Sequence, residues 1–408
     1  MWLFIWVNGL ILKCKMKLIG LIILLSTACS NTLLFAQNYA VGHTTLNLSD
    51  AGRNNRSIPV EVYYPASTAG DNVPVAGGRK YPCIAFGHGF LMTWDAYKNV
   101  WNALVPQGFI IAFPKTEGTA APSHLEFGKD LSFVLSAMDL QGKNASSLFY
   151  NKVDTMNCVM GHSMGGGAAF LGASQSSKIK CIATLAAAET SPKATAAAAG
   201  LTFPSLLIAG SNDCVTPPSG HQIPMFDSLK SSCKTYVAIA GGSHCQMSED
   251  NLLCNLGEST CFPKPTISRA TQHQAISRFL IPWLRFQLLN DCRSGQTFDS
   301  LAVKDAAVSV RKNCVLCPTN GLSEAARFSV TLFPVPATTE LYLTLHPKIQ
   351  QVSCILYNSA GQKKGAWSRL RVLNPTVKLH LQTGLSKGLY FLNVESDGEQ
   401  KNVPVLIE

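Results

Sequence analysis

Charge is scarce in this sequence. Asp, Glu, Lys and Arg supply 14% of its 408 residues, and the basic residues, 34 against 24 acidic ones, are scattered rather than gathered in dense runs or along one helix. That pattern excludes the electrostatic footprint of a nucleic-acid binder. With 47% hydrophobic residues it also excludes a disordered chain. Internal repeats are lacking, which rules out solenoids and propellers. Long apolar runs are lacking too, since "LIGLIILLSTAC" is too short to cross a bilayer as a helix. A zinc ribbon needs two CxxC pairs, and Cys314 with Cys317 forms the only one, so no metal is expected.

What is there begins with a leader. Residues 1–36 carry Lys13, Lys15 and Lys17, no acid, and that apolar run, the plan of a secretory signal with cleavage near Ala36. Met16–Lys17 is a more typical signal start than the residues before it. A lipoprotein site at Cys29 is the weaker reading, because Ser26 stands where an aliphatic residue is wanted. Of the 14 cysteines, 12 follow the leader, and in an exported protein they can pair. Cys83, Cys158 and Cys181 lie in apolar, strand-like runs and are expected as buried free thiols. Cys214, Cys233, Cys245, Cys254, Cys261, Cys292, Cys314 and Cys317 lie in polar sequence and are the disulfide candidates, with connectivity open.

From residue 58 onward, short β-rich runs such as "YPCIAFG", "FIIAFPK", "NCVMG", "IKCIATL", "SLLIAG" and "KTYVAIAG" alternate with helix-compatible stretches. Alternation of this kind predicts an α/β fold, a mostly parallel central sheet flanked by helices. This domain is placed at 37–292, its last helix "ATQHQAISRFLIPWLRFQLL" interrupted by Pro282. A loop-like linker over 293–325 follows. Period-2 alternation and turn residues over 326–408 predict a small all-β sandwich.

The stretch "NCVMGHSMGGGAAF" sets Ser163 between a strand and a small-residue helix. Its flanking glycines would let the chain turn sharply and lift the hydroxyl to the carboxyl end of the sheet. A hydroxyl is a poor nucleophile at neutral pH, so a general base and oxyanion donors must stand nearby. In chain order an acid and a histidine should follow, each just past a strand. Asp213 in "LLIAGSNDCVTPP" and His244 in "YVAIAGGSHCQ" meet that requirement. Glu189 competes for the acid, and His88, His124 and His221 for the base. The backbone N–H of Met164, after the nucleophile, and that of Phe90 in "GHGFLM", with Leu91 next in line, are the oxyanion-hole candidates. Phe90 and Met164 are also the expected substrate contacts, and His88 is expected to shape the loop.

With these residues in place, the block resembles the α/β-hydrolase group of bacterial cutinases, poly(ethylene terephthalate) hydrolases and chlorophyllase-like esterases. The carrying stretches are "GHGFLMTWDAYKNVWNALVPQGFIIAFPKTEG", "MGHSMGGGAAFLGAS", "GSNDCVTPP" and "GGSHC". The resemblance implies cofactor-free ester hydrolysis through an acyl-enzyme on Ser163, and matches Phe90 to an aromatic that stacks on an aromatic acyl group. Where the polyester hydrolases carry a clamp tryptophan, this chain has Ala188 or Glu189. In some of them a disulfide staples the acid and base loops. Cys214–Cys245 would be that pair here, with Cys233, Cys254 and Cys261 as competitors.

"LFPVPATTELYLTL", "ILYNSAGQ" and "LSKGLYFLNVES" resemble the type A sorting domain of type IX secretion, with Val335 departing from its usual asparagine. This implies the type IX machinery as a partner and a cell-surface or extracellular location. A carbohydrate-binding sandwich is the alternative and would need an exposed aromatic row from Tyr357, Trp367, Tyr390 and Phe391. The expected protein is thus a secreted, monomeric serine esterase of cutinase and polyester-hydrolase type that takes a small or polymeric ester. A lipase, an acyltransferase or a chlorophyllase-like esterase would use the same machinery, although no long lid insertion is evident. A surface-binding protein with an idle hydrolase fold is the reading from another class.

Overall fold

A computed structural model describes residues 39–317, 330–345, 349–372, 376–396 and 399–408; the expected leader, its cleavage site and Met16 lie outside them. The chain divides into two compact units, the first ending at Leu316.

The first unit is built on one ten-stranded sheet. Its strands are β1 (Ala40–Asp50), β2 (Arg56–Ala66), β3 (Gly70–Asp71), β4 (Tyr81–Gly87), β5 (Ile110–Pro114), β6 (Val153–His162), β7 (Cys181–Leu185), β8 (Ser205–Gly210), β9 (Lys234–Ile239) and β10 (Val308–Lys312). They lie in the order β10-β9-β8-β7-β6-β4-β5-β2-β1-β3. The central strands β5, β4, β6, β7, β8 and β9 run parallel. Parallel strands are covered on both faces, so each reads as a near-continuous apolar run.

Side-chain alternation divides that run between two cores. Val159, Leu207 and Ala209 face one layer with Phe127, Leu131 and Met138 of α2 (His124–Lys143) and Phe170 of α3 (Met164–Ala173). Met160, Leu206 and Ile208 face the other, with Trp101 and Leu104 of α1 (Lys98–Leu104) and Phe279 and Trp283 of α7 (Arg269–Leu289). The short helices α4 (Ala194–Ala198), α5 (Gln222–Ser228) and α6 (Leu252–Ser259) sit in the connections after β7, β8 and β9.

Two expectations need correction. Helix α7 runs unbroken through Pro282. A proline inside a helix costs about 3 kcal/mol, but Phe279, Leu280, Trp283 and Leu284 are all buried around it, and such side chains return about 1.5–3 kcal/mol each. The linker expected at 293–325 is, over its described part, regular structure: α8 (Cys292–Lys304) and then β10, which pairs antiparallel with β9. Phe298 of α8 is fully buried and meets Phe279 edge-on, ring centroids 5.6 Å apart. The polar outer faces of an edge strand and an amphipathic helix gave this stretch its loop-like look.

The second unit holds β11 (Val330–Phe333), β12 (Glu340–Leu345), β13 (Gln351–Asn358), β14 (Lys363–Arg371), β15 (Thr376–His380), β16 (Gly388–Ser396) and β17 (Glu399–Ile407). They form two antiparallel sheets, β11-β12-β15 and β14-β13-β16-β17. Leu341, Leu343 and Leu379 of one sheet share a core with Leu356, Leu392 and Val405 of the other, as the period-2 pattern predicts. Tyr390 is buried in that core and Trp367 packs against it, so the four aromatics named above do not make an exposed row. Among the described residues no helix is long and apolar enough to cross a membrane.

Candidate active site

Strand β6 ends at His162, and Ser163 connects it to α3 with φ 54° and ψ −121°. This left-handed backbone falls on the serine itself, a residue type that seldom adopts it, and such strain collects at functional sites. The neighbouring glycines serve close approach rather than the turn angle. A Cβ on Gly161 would stand 2.3 Å from the Gly165 carbonyl oxygen, and one on Gly165 would stand 2.2 Å from the Gly87 carbonyl carbon. The spacing GxSxG is therefore a packing requirement between β4, β6 and α3.

Asp213 follows β8 and His244 follows β9, both in loops at the carboxyl end of the sheet. The structure brings the three side chains together. Ser163 Oγ lies 2.9 Å from His244 Nε2, and His244 Nδ1 lies 2.8 Å from Asp213 Oδ2. His244 and Asp213 are buried, while Ser163 keeps 9% of its surface exposed. With Nδ1–H donating to the carboxylate, Nε2 is free to accept the serine proton.

Three further polar residues hold this line; Thr216 lies in the stretch "GSNDCVTPP", and the other two, Gln222 and Glu258, lie outside the motifs. Thr216 Oγ stands 2.8 Å from Asp213 Oδ2 and 3.0 Å from His244 Nδ1, and accepts from Gln222 Nε2 at 3.1 Å. The other carboxylate oxygen of Asp213 accepts the amides of Val215 and Thr216 at 3.0 and 2.7 Å. Glu258 of α6 accepts the amides of His244 and Cys245 at 2.8 and 3.1 Å. Their partners are 3–14 residues away along the chain or farther, so only the folded loops reveal them.

The disulfides share this design. Cys214 bonds Cys261, Cys245 bonds Cys254, and Cys233 bonds Cys314; Cys292 and Cys317 are disulfide-bonded as well. Cys83, Cys158 and Cys181 are free and buried. Cys214 and Cys245 do not pair with each other. Each instead ties its loop to the segment 254–261, so the acid and base loops are braced through α6 and Glu258 rather than stapled directly.

The competitors have other partners. His88 is buried with Nδ1 2.9 Å from the Gly89 carbonyl oxygen and Nε2 2.9 Å from that of Thr116, and burial pushes its pKa down. It links the loop after β4 to the end of β5. His124 Nδ1 accepts the Ser191 amide at 3.1 Å, and His221 Nδ1 the Glu189 amide at 2.9 Å. Glu189 bonds the hydroxyl and amide of Thr195 and the Thr190 amide. Burial alone would raise its pKa, but these donors outweigh it and hold the carboxyl below its usual range. It anchors the loop before α4 and does not meet His244.

Met164 opens α3 directly after Ser163 and is buried. Phe90 sits in the loop after β4 with 48% of its surface exposed. In that loop the Gly89 amide donates to Tyr97 Oη at 2.7 Å and the Met92 amide to the Gly89 carbonyl at 3.1 Å.

Comparison with known proteins agrees with this architecture. Residues 331–408 match the secretion system C-terminal sorting domain, which directs a chain to the cell surface or the extracellular space by type IX secretion. Two relatives are Cutinase est1 and Cutinase est2 of Thermobifida alba, each 26% identical over 232 residues, 56% of this chain and 71% and 70% of theirs. Cutinase 1 of Thermobifida cellulosilytica is 26% identical over 185 residues, 45% of this chain and 64% of its own. Residues 58–318, which hold the sheet apart from β1 and the first residues of β2 together with all three side chains of the Ser163 line, match the PET hydrolase-like family, and the chain belongs to that family.

Proposed function

We propose that this protein is a secreted serine hydrolase that cleaves carboxylic esters of apolar acids, polyesters among them, through an acyl-enzyme on Ser163. The observation that carries the reading is the unbroken line from Ser163 through His244 to Asp213, with contacts of 2.9 and 2.8 Å. Ser163 Oγ attacks the acyl carbon as its proton passes to His244 Nε2, and Asp213 steadies the imidazolium. The oxyanion so formed is met by the backbone N–H groups of Met164 and Phe90, the first at the positive end of α3. His244 then gives its proton to the leaving alcohol oxygen, and a water activated by the same imidazole releases the acid.

Diethyl p-nitrophenyl phosphate tests this reading. One equivalent of p-nitrophenol per chain is expected, with the diethylphosphoryl group on the peptide carrying Ser163 by mass spectrometry. No burst, or a label elsewhere, would overturn the assignment.

The rim beside the catalytic loops supports an apolar substrate. Leu252, Leu253, Leu256 and Phe262 are 72%, 50%, 55% and 80% exposed. They lie one or two residues from Cys254 and Cys261, whose Cα atoms are 5.7 and 5.6 Å from those of Cys245 and Cys214. Large apolar side chains grouped in water mark contact surfaces. Changing all four to Ser should lower release of products from a polyester film roughly tenfold and leave p-nitrophenyl butyrate hydrolysis within about twofold. Equal losses on both substrates would remove the rim from substrate contact.

A further inference from the structure

Tyr97 ends the 3-10 turn Trp94–Tyr97 and is wholly buried. Its hydroxyl lies 2.7 Å from the Gly89 amide nitrogen and 3.0 Å from His162 Nδ1. His162 Nε2 in turn lies 3.2 Å from the carbonyl oxygen of His244. The two ends of this chain of contacts set its direction. An amide N–H can only donate and a carbonyl can only accept. The Gly89 N–H therefore donates to Tyr97 Oη, the phenol proton goes to His162 Nδ1, and Nε2–H donates to the His244 carbonyl.

The electrostatics keep that single arrangement. Burial first, and the nearby His244 second, hold His162 well below the usual imidazole range, so it remains neutral with one donor and one acceptor. Burial likewise pushes the Tyr97 phenol up, so it keeps its proton. Space is as tight as the bonding: a Cβ on Gly89 would stand 2.7 Å from Met92 Sδ, 3.2 Å from Tyr97 Oη and 3.3 Å from His162 Nδ1.

What the chain joins gives it a role. Gly89 precedes Phe90, His162 precedes Ser163, and His244 is the base of the proposed reaction. The geometry points to Tyr97 and His162 as positioning residues that hold the oxyanion loop, the nucleophile and the base in one register. This inference rests on the esterase reading above. It goes beyond it in assigning a phenol from outside the site a part in aiming the Phe90 amide: Tyr97 holds the N–H side of Gly89, while His88 holds its carbonyl at 2.9 Å. Reacting groups displaced by about an ångström lose on the order of 10²-fold in rate, so a tie of this kind should be visible in kcat.

The test uses the full chain and counts active sites with diethyl p-nitrophenyl phosphate. Tyr97→Phe should lower kcat per titrated site on p-nitrophenyl butyrate roughly tenfold, with KM within about twofold. Its affinity for butylboronic acid, whose tetrahedral adduct occupies the oxyanion site, should weaken by a similar factor. A residue that only packs would lower the number of titratable sites and the melting temperature, and leave kcat per site and boronate affinity alone. That result overturns the inference. His162→Gln, which keeps an acceptor and a donor, should retain more kcat per site than His162→Leu. If Tyr97→Phe yields no titratable sites this second pair decides, and equal values for the two would also overturn it. A wild-type protein with no burst would instead remove the esterase reading itself.

Discussion

Ser163→Ala is expected to lower kcat/KM for p-nitrophenyl butyrate by about 10⁴–10⁶ without lowering the melting temperature by more than a few degrees. The loss is large because the hydroxyl is the only atom of the line that bonds the acyl carbon. The stability change is small because Ala fills the same turn with one oxygen fewer, although the left-handed φ of 54° remains strained for it. His244→Ala should fall to the same floor, and the double substitution should fall no lower, because a nucleophile without its base and a base without its nucleophile are equally idle. Asp213→Asn should cost about 10⁴, since an amide that donates toward Nδ1 favours the tautomer with its proton on Nε2, where the serine proton must go. Steady-state kinetics on the four variants, corrected by mass spectrometry for wild-type carry-over, would check the set. A Ser163→Ala enzyme within tenfold of wild type would show that the line of hydrogen bonds at 2.9 and 2.8 Å is not the one used.

Which parts of this site could be read from the sequence follows from where each residue's reasons lie. Ser163, Asp213 and His244 each stand at the break between an apolar strand and a polar loop, a signal carried by a few neighbouring residues. Buried parallel strands read clearly for the same reason, as in "NCVMG" and "SLLIAG". Gln222 and Glu258 carry no such local mark, and Thr216 and Tyr97, although inside stretches that carry the family resemblance, have nothing in their immediate neighbours that names their partners. Tyr97 meets His162 across 65 residues and Gln222 meets Ala187 across 35, and the folded loops alone set those encounters. Disulfide pairing failed to show for a related reason. The polarity of the surrounding sequence says which thiols can reach an oxidising solvent, but the choice between Cys245 and Cys261 as partner for Cys214 depends on the α6 brace.

The same distinction decides where the catalytic unit can be cut. A chain ending at Cys292 loses α8 and β10, together with Cys314, the partner of Cys233. It should fail to accumulate as folded protein, whereas a chain ending after Cys317 should fold and be active. Removing Phe298 empties a fully buried site against Phe279, a change worth about 3–5 kcal/mol. Opening a disulfide that spans 81 residues costs about 4.5 kcal/mol more on the loop-entropy estimate. The two together consume most of the roughly 5–15 kcal/mol by which a domain is stable. Loss of β10 also bares β9 along Thr235–Ile239, an apolar edge open to pairing with other chains. Soluble yield and guanidinium unfolding midpoints of the two truncations, beside a Cys233→Ser/Cys314→Ser full chain, separate the contributions. The double serine variant should keep kcat and lose melting temperature by roughly ten degrees. A stable, active chain ending at Cys292 would show that the edge strand and its helix are an attachment to the domain and not part of its core.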